Sequence, residues 1–219
     1  MKQLIVCKLV LAICLLISCN SRTQNQTATP GSNKTVGGGC DGCELMYTGM
    51  PQQVNAVDTS EGWFEKGQKL IVNGTVFQQD GKTPAPGVII YYWQTDNDGY
   101  YSPKPGMDEK AKIHGHLRGW VKTNEKGKYT IYTIRPAPYP NDVLPAHIHY
   151  SIKEPDVANE YYSDDLNFTD DSLLAPYLKR YPQENRAGNG VVQTVLQDGV
   201  QVCRRDIVLG LNIPGYRKE

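Results

Sequence analysis

The sequence predicts an all-β fold: a β-sandwich core with Greek-key-like connections, one short helix and long loops. Three observations carry that prediction. Several segments of strand length run apolar or alternate, and turn residues bound each of them. Tyrosine outnumbers phenylalanine 14 to 3, and tyrosine suits half-buried strand positions. There is no internal repeat and no regular alternation of strands with helical stretches, which leaves packed sheets as the closest class.

Residues 1–19, "MKQLIVCKLVLAICLLISC", place a lysine near the start, then an apolar run too short and wrongly flanked for a typical spanning helix. The ending Leu16-Ile17-Ser18-Cys19 resembles a bacterial lipobox, which implies acylation of Cys19; an ordinary secretory signal is the alternative. Asn20 after Cys19 does not suggest retention at the inner membrane. The expected location is the cell envelope, at the outer membrane through the lipid anchor. Residues 20–39 are polar, rich in Gly, Ser, Thr and Asn, and read as a flexible tether. The folded domain is then 40–219, about 180 residues and enough for one core.

Three cysteines fall in this domain. Cys40 and Cys43 form a CxxC, but no second ligand pair for zinc is evident, and the loop-like "MYTGMP" that follows does not suit a thioredoxin-like helix. An exported chain favours one structural disulfide, with Cys203 either a partner in it or free.

Strands are expected at 69–78 ("KLIVNGTVFQ"), 88–95 ("VIIYYWQT"), 119–123 ("GWVKT") and 128–134 ("KYTIYTI"). The third and fourth flank Asn124-Glu125-Lys126-Gly127 and read as a hairpin. Further strands are expected at 146–152 ("AHIHYSI"), 190–196 ("GVVQTVL") and 199–209 ("GVQVCRRDIVL"), the last two as a second hairpin. A short helix is expected over 171–181, "DSLLAPYLKRY". The formal net charge is zero, which argues against a broad nucleic-acid surface.

Four histidines occur, in "IHGH" (His114, His116) and "HIH" (His147, His149). On a strand, residues i and i+2 share a face, so His147 and His149 point together and Ile148 points away. That geometry suits two neighbouring ligands of one iron, copper, nickel or zinc ion, although HxH pairs also arise by chance. Tyr139, between two prolines, and Tyr101, just past the "VIIYYWQ" strand, are further candidates, since a phenolate suits ferric iron. A four-histidine copper or zinc site is a competing arrangement.

With these residues in order, the sequence resembles the intradiol ring-cleavage dioxygenases of the catechol and protocatechuate type. The resemblance rests on "GVIIYYWQTDNDGYY", "LRGWVKTNEKGKYTIYTIRPAPYP", "PAHIHY" and the late "RRDIVL" strand, and it covers roughly residues 70–209. It implies a β-sandwich holding non-haem Fe(3+) through Tyr101, Tyr139, His147 and His149, with Tyr139 as the tyrosinate that leaves when substrate binds. It also implies that a small aromatic diol and O2 are the substrates and a muconate-type diacid the product. Two positions depart from the family pattern. Leu144 stands where the related enzymes have an arginine, and Asp165 falls near a family glutamine. Arg118 is a candidate for the missing charge, with a surface arginine as the plain alternative; Arg135 is expected in a structural ion pair. A lipid-anchored sandwich that binds metal or catecholates without turnover is the second reading.

Overall fold

The computed structural model describes residues 35–40, 42–140 and 143–217. The signal segment, Cys19 and most of the expected tether lie outside these residues. The strands are β1 (Val57–Thr59), β2 (Lys69–Phe77), β3 (Ile89–Gln94), β4 (Arg118–Lys122), β5 (Lys128–Ile134), β6 (His147–Lys153), β7 (Tyr161–Tyr162) and β8 (Leu166–Phe168). The helix α1 (Leu174–Arg180) follows, then β9 (Val191–Val192), β10 (Val195–Gln197), β11 (Val200–Arg204) and β12 (Ile207–Val208). The helix lies inside the expected span.

Two sheets form a β-sandwich. One has the order β1-β5-β2-β11-β10 with β12 also paired to β2; the other has β4-β3-β6-β8-β9 with β7 paired to β6. Their facing sides share one buried core. Leu70, Val72, Ile131 and Cys203 come from the first sheet, and Ile90, Tyr92, Val121, Ile148, Tyr150 and Ile152 from the second. Burying each large apolar side chain contributes roughly 1.5–3 kcal/mol. Because side chains alternate along a strand, this packing turns Tyr91, Trp93, His147 and His149 to the other face of the second sheet. There Tyr91 and Trp93 form a separate cluster with Met46, supplied by a 3-10 helix at Cys43–Tyr47.

Several expectations are corrected. The turn at 124–127 forms, with Gly127 N–H donating to Asn124 O at 2.8 Å. It does not join a hairpin, however. β4 pairs with β3 in one sheet, while β5 pairs with β1 and β2 in the other. The seven-residue register between β2 and β5 draws the chain across the sandwich. The expected strand 190–196 divides for the same reason, β9 joining β8 and β10 joining β11. The β10–β11 hairpin itself is present, and Asp198 and Gly199 take the paired positive φ (47° and 79°) of a two-residue turn. The segment 199–209 breaks between β11 and β12, where the Arg205 carbonyl accepts from Tyr129 Oη at 2.7 Å and presses on Gly74.

The folded domain also starts earlier than Cys40. Val36 N–H donates to Asn159 Oδ1 at 3.1 Å, and Gly37 N–H to Pro214 O at 2.7 Å. A Cβ on Gly37 would lie 2.4 Å from Tyr161 Cβ, so the last residues of the expected tether are packed against the sheet. Cys40 and Cys43 form the disulfide, and Cys203 is a buried free thiol whose pKa burial pushes up to about 12.

Candidate metal centre

β6 carries His147 and His149 side by side on the face turned away from the core, and β3 sets Trp93 opposite His149 in the register. Two loops deliver the tyrosines. After β3 the chain turns back, and Asp96 Oδ1 accepts from Asp98 N–H at 2.9 Å and Tyr100 N–H at 3.0 Å. Gly99 closes that turn at φ +85°, so near Pro138 that a Cβ would lie 2.2 Å from its carbonyl oxygen. Thr95 Oγ1 donates to Ala137 O at 2.6 Å, and Ala137 N–H donates to Asp96 O at 3.2 Å. The turn before Tyr101 and the proline-rich segment before Tyr139 are thereby fastened together. Proline on both sides of Tyr139 restricts its backbone further.

The four side chains converge. Tyr101 Oη is 2.7 Å from Tyr139 Oη and 2.9 Å from His149 Nε2. Tyr139 Oη is 3.3 Å from His147 Nε2, and the two Nε2 atoms are 3.1 Å apart. Both opposite ring nitrogens are committed to acceptors: His147 Nδ1 donates to Pro145 O at 2.7 Å, and His149 Nδ1 donates to Asp165 Oδ1 at 2.7 Å. In the tautomer that carries its proton on Nδ1, each ring turns an Nε2 lone pair inward. The two phenolic protons can answer contacts to tyrosine, but neither lies between the facing nitrogens. A cation at the centre removes that repulsion, so this donor set fits one. Two phenols and two imidazoles suit a hard transition-metal ion.

Electrostatics around the cluster agree with that fit. Burial, the Tyr139 hydroxyl and the Asp165 charge all hold the Tyr101 phenol far above its ordinary pKa, so only a nearby cation favours its phenolate. Burial pushes the Asp165 carboxyl up, but His149, His147 and the Tyr162 hydroxyl outweigh burial and hold it below the usual range. Asp165 reaches His149 through Nδ1, the nitrogen turned away from the cluster, so it orients that ring and raises its basicity. Tyr162 Oη donates to the same Oδ1.

Two cavities flank the cluster and share Tyr139 and His149. The larger, about 380 Å³, is walled by Trp93, Tyr101, Ile113, His114, Tyr162 and the disulfide residue Cys40. The smaller, about 170 Å³, is walled by Leu144, Pro145, Asn167 and Tyr177 and by His147 and Asp165.

Other expected residues lie elsewhere. Arg118 does not join the cluster. Its Nη2 donates to the carbonyls of Leu45 and Thr48, and its guanidinium lies 5.1 Å from the Tyr91 ring and 4.9 Å from the Trp120 ring. Carbonyls at the end of the 3-10 helix hold it there. The four-histidine arrangement is not formed. His116 Nδ1 donates to Ser102 O at 2.6 Å and its Nε2 faces Glu65 at 2.9 Å, while the Trp93 ring lies between His114 and His149. Arg135 makes its ion pair, with Asp170 at 2.7 Å. Trp93 and Tyr162, both beside the cluster, are not predicted as site residues: Trp93 falls in a strand and in the stretch that carries the resemblance, and Tyr162 sits in a tyrosine pair without distinctive spacing.

A two-sheet sandwich with two tyrosines and two histidines around one point defines a class of β-sandwich proteins with a mixed phenol–imidazole donor set. The chain belongs to the intradiol ring-cleavage dioxygenase family: a family model described as Dioxygenase matches residues 45–184. Among curated relatives, a catechol 1,2-dioxygenase of Acinetobacter baylyi is 32% identical over 124 residues, 49% of this chain and 39% of that protein. A chlorocatechol 1,2-dioxygenase of a Pseudomonas species is 28% identical over 204 residues, 83% of this chain and 72% of the relative. The chain thus spans about two fifths of the first relative's length and most of the second's. Among solved structures, a dioxygenase domain from Streptomyces sp. SirexAA-E, fused in its parent to a carbohydrate-binding protein, has a TM-score of 0.53 at 24% identity. That match covers 73% of this chain and 88% of the domain, and it shares the fold.

Proposed function

We propose that the protein is a ferric, non-haem dioxygenase that cleaves a catechol between its two hydroxyl-bearing carbons with O2 to give a muconate-type diacid. The observation that carries the reading is the inward-facing set of Tyr101, Tyr139, His147 and His149, with both Nδ1 nitrogens committed elsewhere. Ferric iron, which Tyr101, Tyr139, His147 and His149 would hold, would supply a Lewis-acidic centre for the reaction of the diol with O2. The chain's own residues have separable tasks. His147 and His149 hold the metal, each oriented through Nδ1 by Pro145 O or Asp165. Tyr101 supplies an anionic oxygen. Tyr139, which borders both cavities, would be the base that takes a proton from a substrate hydroxyl. Trp93 and Tyr162 wall the larger cavity with aromatic surface.

Protein loaded with ferric iron should consume O2 on addition of catechol, with the diacid formed in step. Catechol that changes the visible spectrum without oxygen uptake favours the second reading, a metal site that binds catecholates without turnover; Leu144 at the arginine position motivates it. Export and acylation of Cys19 belong to the same proposal, and radiolabelled palmitate incorporated in cells and lost in Cys19→Ser tests them.

A further inference from the structure

His114 has no task in the mechanism above, yet it is one of the walls of the larger cavity. It ends a 3-10 helix at Glu109–His114 and is 5% exposed. Its ring stacks on Trp93, with centroids 4.2 Å apart and planes 6° from parallel, and Trp93 in turn stacks on His149 at 4.7 Å. One aromatic layer therefore separates His114 from the candidate metal ligand.

The tautomer of His114 follows from its neighbours. Its Nδ1 lies 2.8 Å from Tyr91 Oη. Tyr91 is buried, which holds its phenol well above the ordinary value, so it keeps its proton. Among the described residues His114 Nδ1 is the acceptor for that proton. Tyr91 accordingly donates to Nδ1, and the ring hydrogen sits on Nε2. Gly42 makes room for this end of the ring, since a Cβ there would lie 2.8 Å from Nε2. Among the described residues Nε2 meets no protein acceptor, and His114 is one of the residues that wall the cavity. The described walls of that cavity include no lysine or arginine, and the Asp165 carboxylate stands behind Tyr162. A charged carboxylate on a ligand would be desolvated there against aromatic rings with one neutral donor to answer it.

We propose that His114 is a specificity-determining residue, donating its Nε2–H to an uncharged oxygen substituent on the ring of a catechol anchored at the cluster. This rests on the dioxygenase reading above and narrows its substrate class to uncharged, oxygen-substituted catechols.

The test titrates the iron-loaded full chain anaerobically with 1,2,4-trihydroxybenzene, 4-methylcatechol and protocatechuate. Binding is followed by the visible spectrum and by calorimetry. The parent is expected to bind the triol roughly 3- to 10-fold more tightly than 4-methylcatechol, the span of one net hydrogen bond, with protocatechuate weakest. His114→Phe should bring the first two to equal affinity, and His114→Gln, which keeps an N–H at that end, should restore most of the difference. Thermal unfolding of both variants reports whether the fold is kept, and the His114→Gln rescue is read on whichever pair is folded. A tyrosinate band with an unchanged ratio in His114→Phe overturns the inference alone, as does protocatechuate binding most tightly. Absence of the band in the parent overturns the dioxygenase reading and this inference with it.

Discussion

The Nε2 atoms of His147 and His149 lie 3.1 Å apart while both Nδ1 nitrogens already donate, one to Pro145 O and the other to Asp165. A cation between them relieves the repulsion of two imidazole lone pairs held face to face. The sandwich builds this arrangement by ordinary strand alternation, with Ile148 buried in the core between the two histidines.

Ferric iron should therefore stabilise the fold by mass action. At about 100 times its dissociation constant the metal contributes about 2.7 kcal/mol. Thermal unfolding with and without iron should show a rise in Tm for the parent chain. His149→Ala should lose most of that rise, because it removes the donor that contacts both Tyr101 and His147.

Asp165 is predicted to act on the metal through His149. Asp165→Asn keeps an oxygen for Nδ1 but removes the charge, whereas Asp165→Ala removes both. Iron affinity should fall in the order parent, Asn, Ala, with about a 10- to 100-fold loss for the alanine variant. Competition with a chelator measures the order; equal affinity in all three would remove Asp165 from the account.

Leu144 lines the smaller cavity beside Tyr139 and His147. If the family arginine stabilises charge on the activated ring, its loss costs this chain rate. Leu144→Arg should raise kcat by about tenfold or more, within the range of one added charge-stabilising donor. Oxygen uptake under saturating catechol measures it. No gain in rate would show that this chain meets the charge by other means.

His114 predicts a pH dependence of stability. Burial, with smaller contributions from the charges of His149 and Arg118, lowers its pKa from 6.5 to about 4. The unfolded chain takes up this proton as pH falls through about 6.5, and the folded chain does so only near 4. Stability linked to His114 is thus complete above about 6.5, is lost as pH falls toward 4, and changes no further below that. Thermal unfolding of the metal-free protein across this window should show a shallower slope for His114→Gln than for the parent. Parallel slopes would contradict the assignment.

The sequence made some of this legible through period-two alternation. The shared face of His147 and His149, the burial of Ile148 and most strand positions follow from it. The tyrosines are candidates by residue type and by their place after a strand and between prolines, but only the resemblance gives them roles, because nothing in the spacing of Tyr101 and Tyr139 shows that Gly99 packs on Pro138. Sheet membership was hidden for a similar reason. The turn at 124–127 has the chemistry of a hairpin, but long-range pairing of β5 with β2 decides where the strands go. Arg118 and His114 were ambiguous because their partners are loop carbonyls and an aromatic stack contributed by distant segments.

The most direct test is the visible spectrum of the protein reconstituted with ferric iron. Tyr101 and Tyr139 as ligands predict a reddish protein with a broad tyrosinate-to-iron band. Tyr101→Phe and Tyr139→Phe should each shift or weaken the band, and the double variant should abolish it. Stoichiometric iron with no such band, or a band untouched by either substitution, would contradict the four-residue centre.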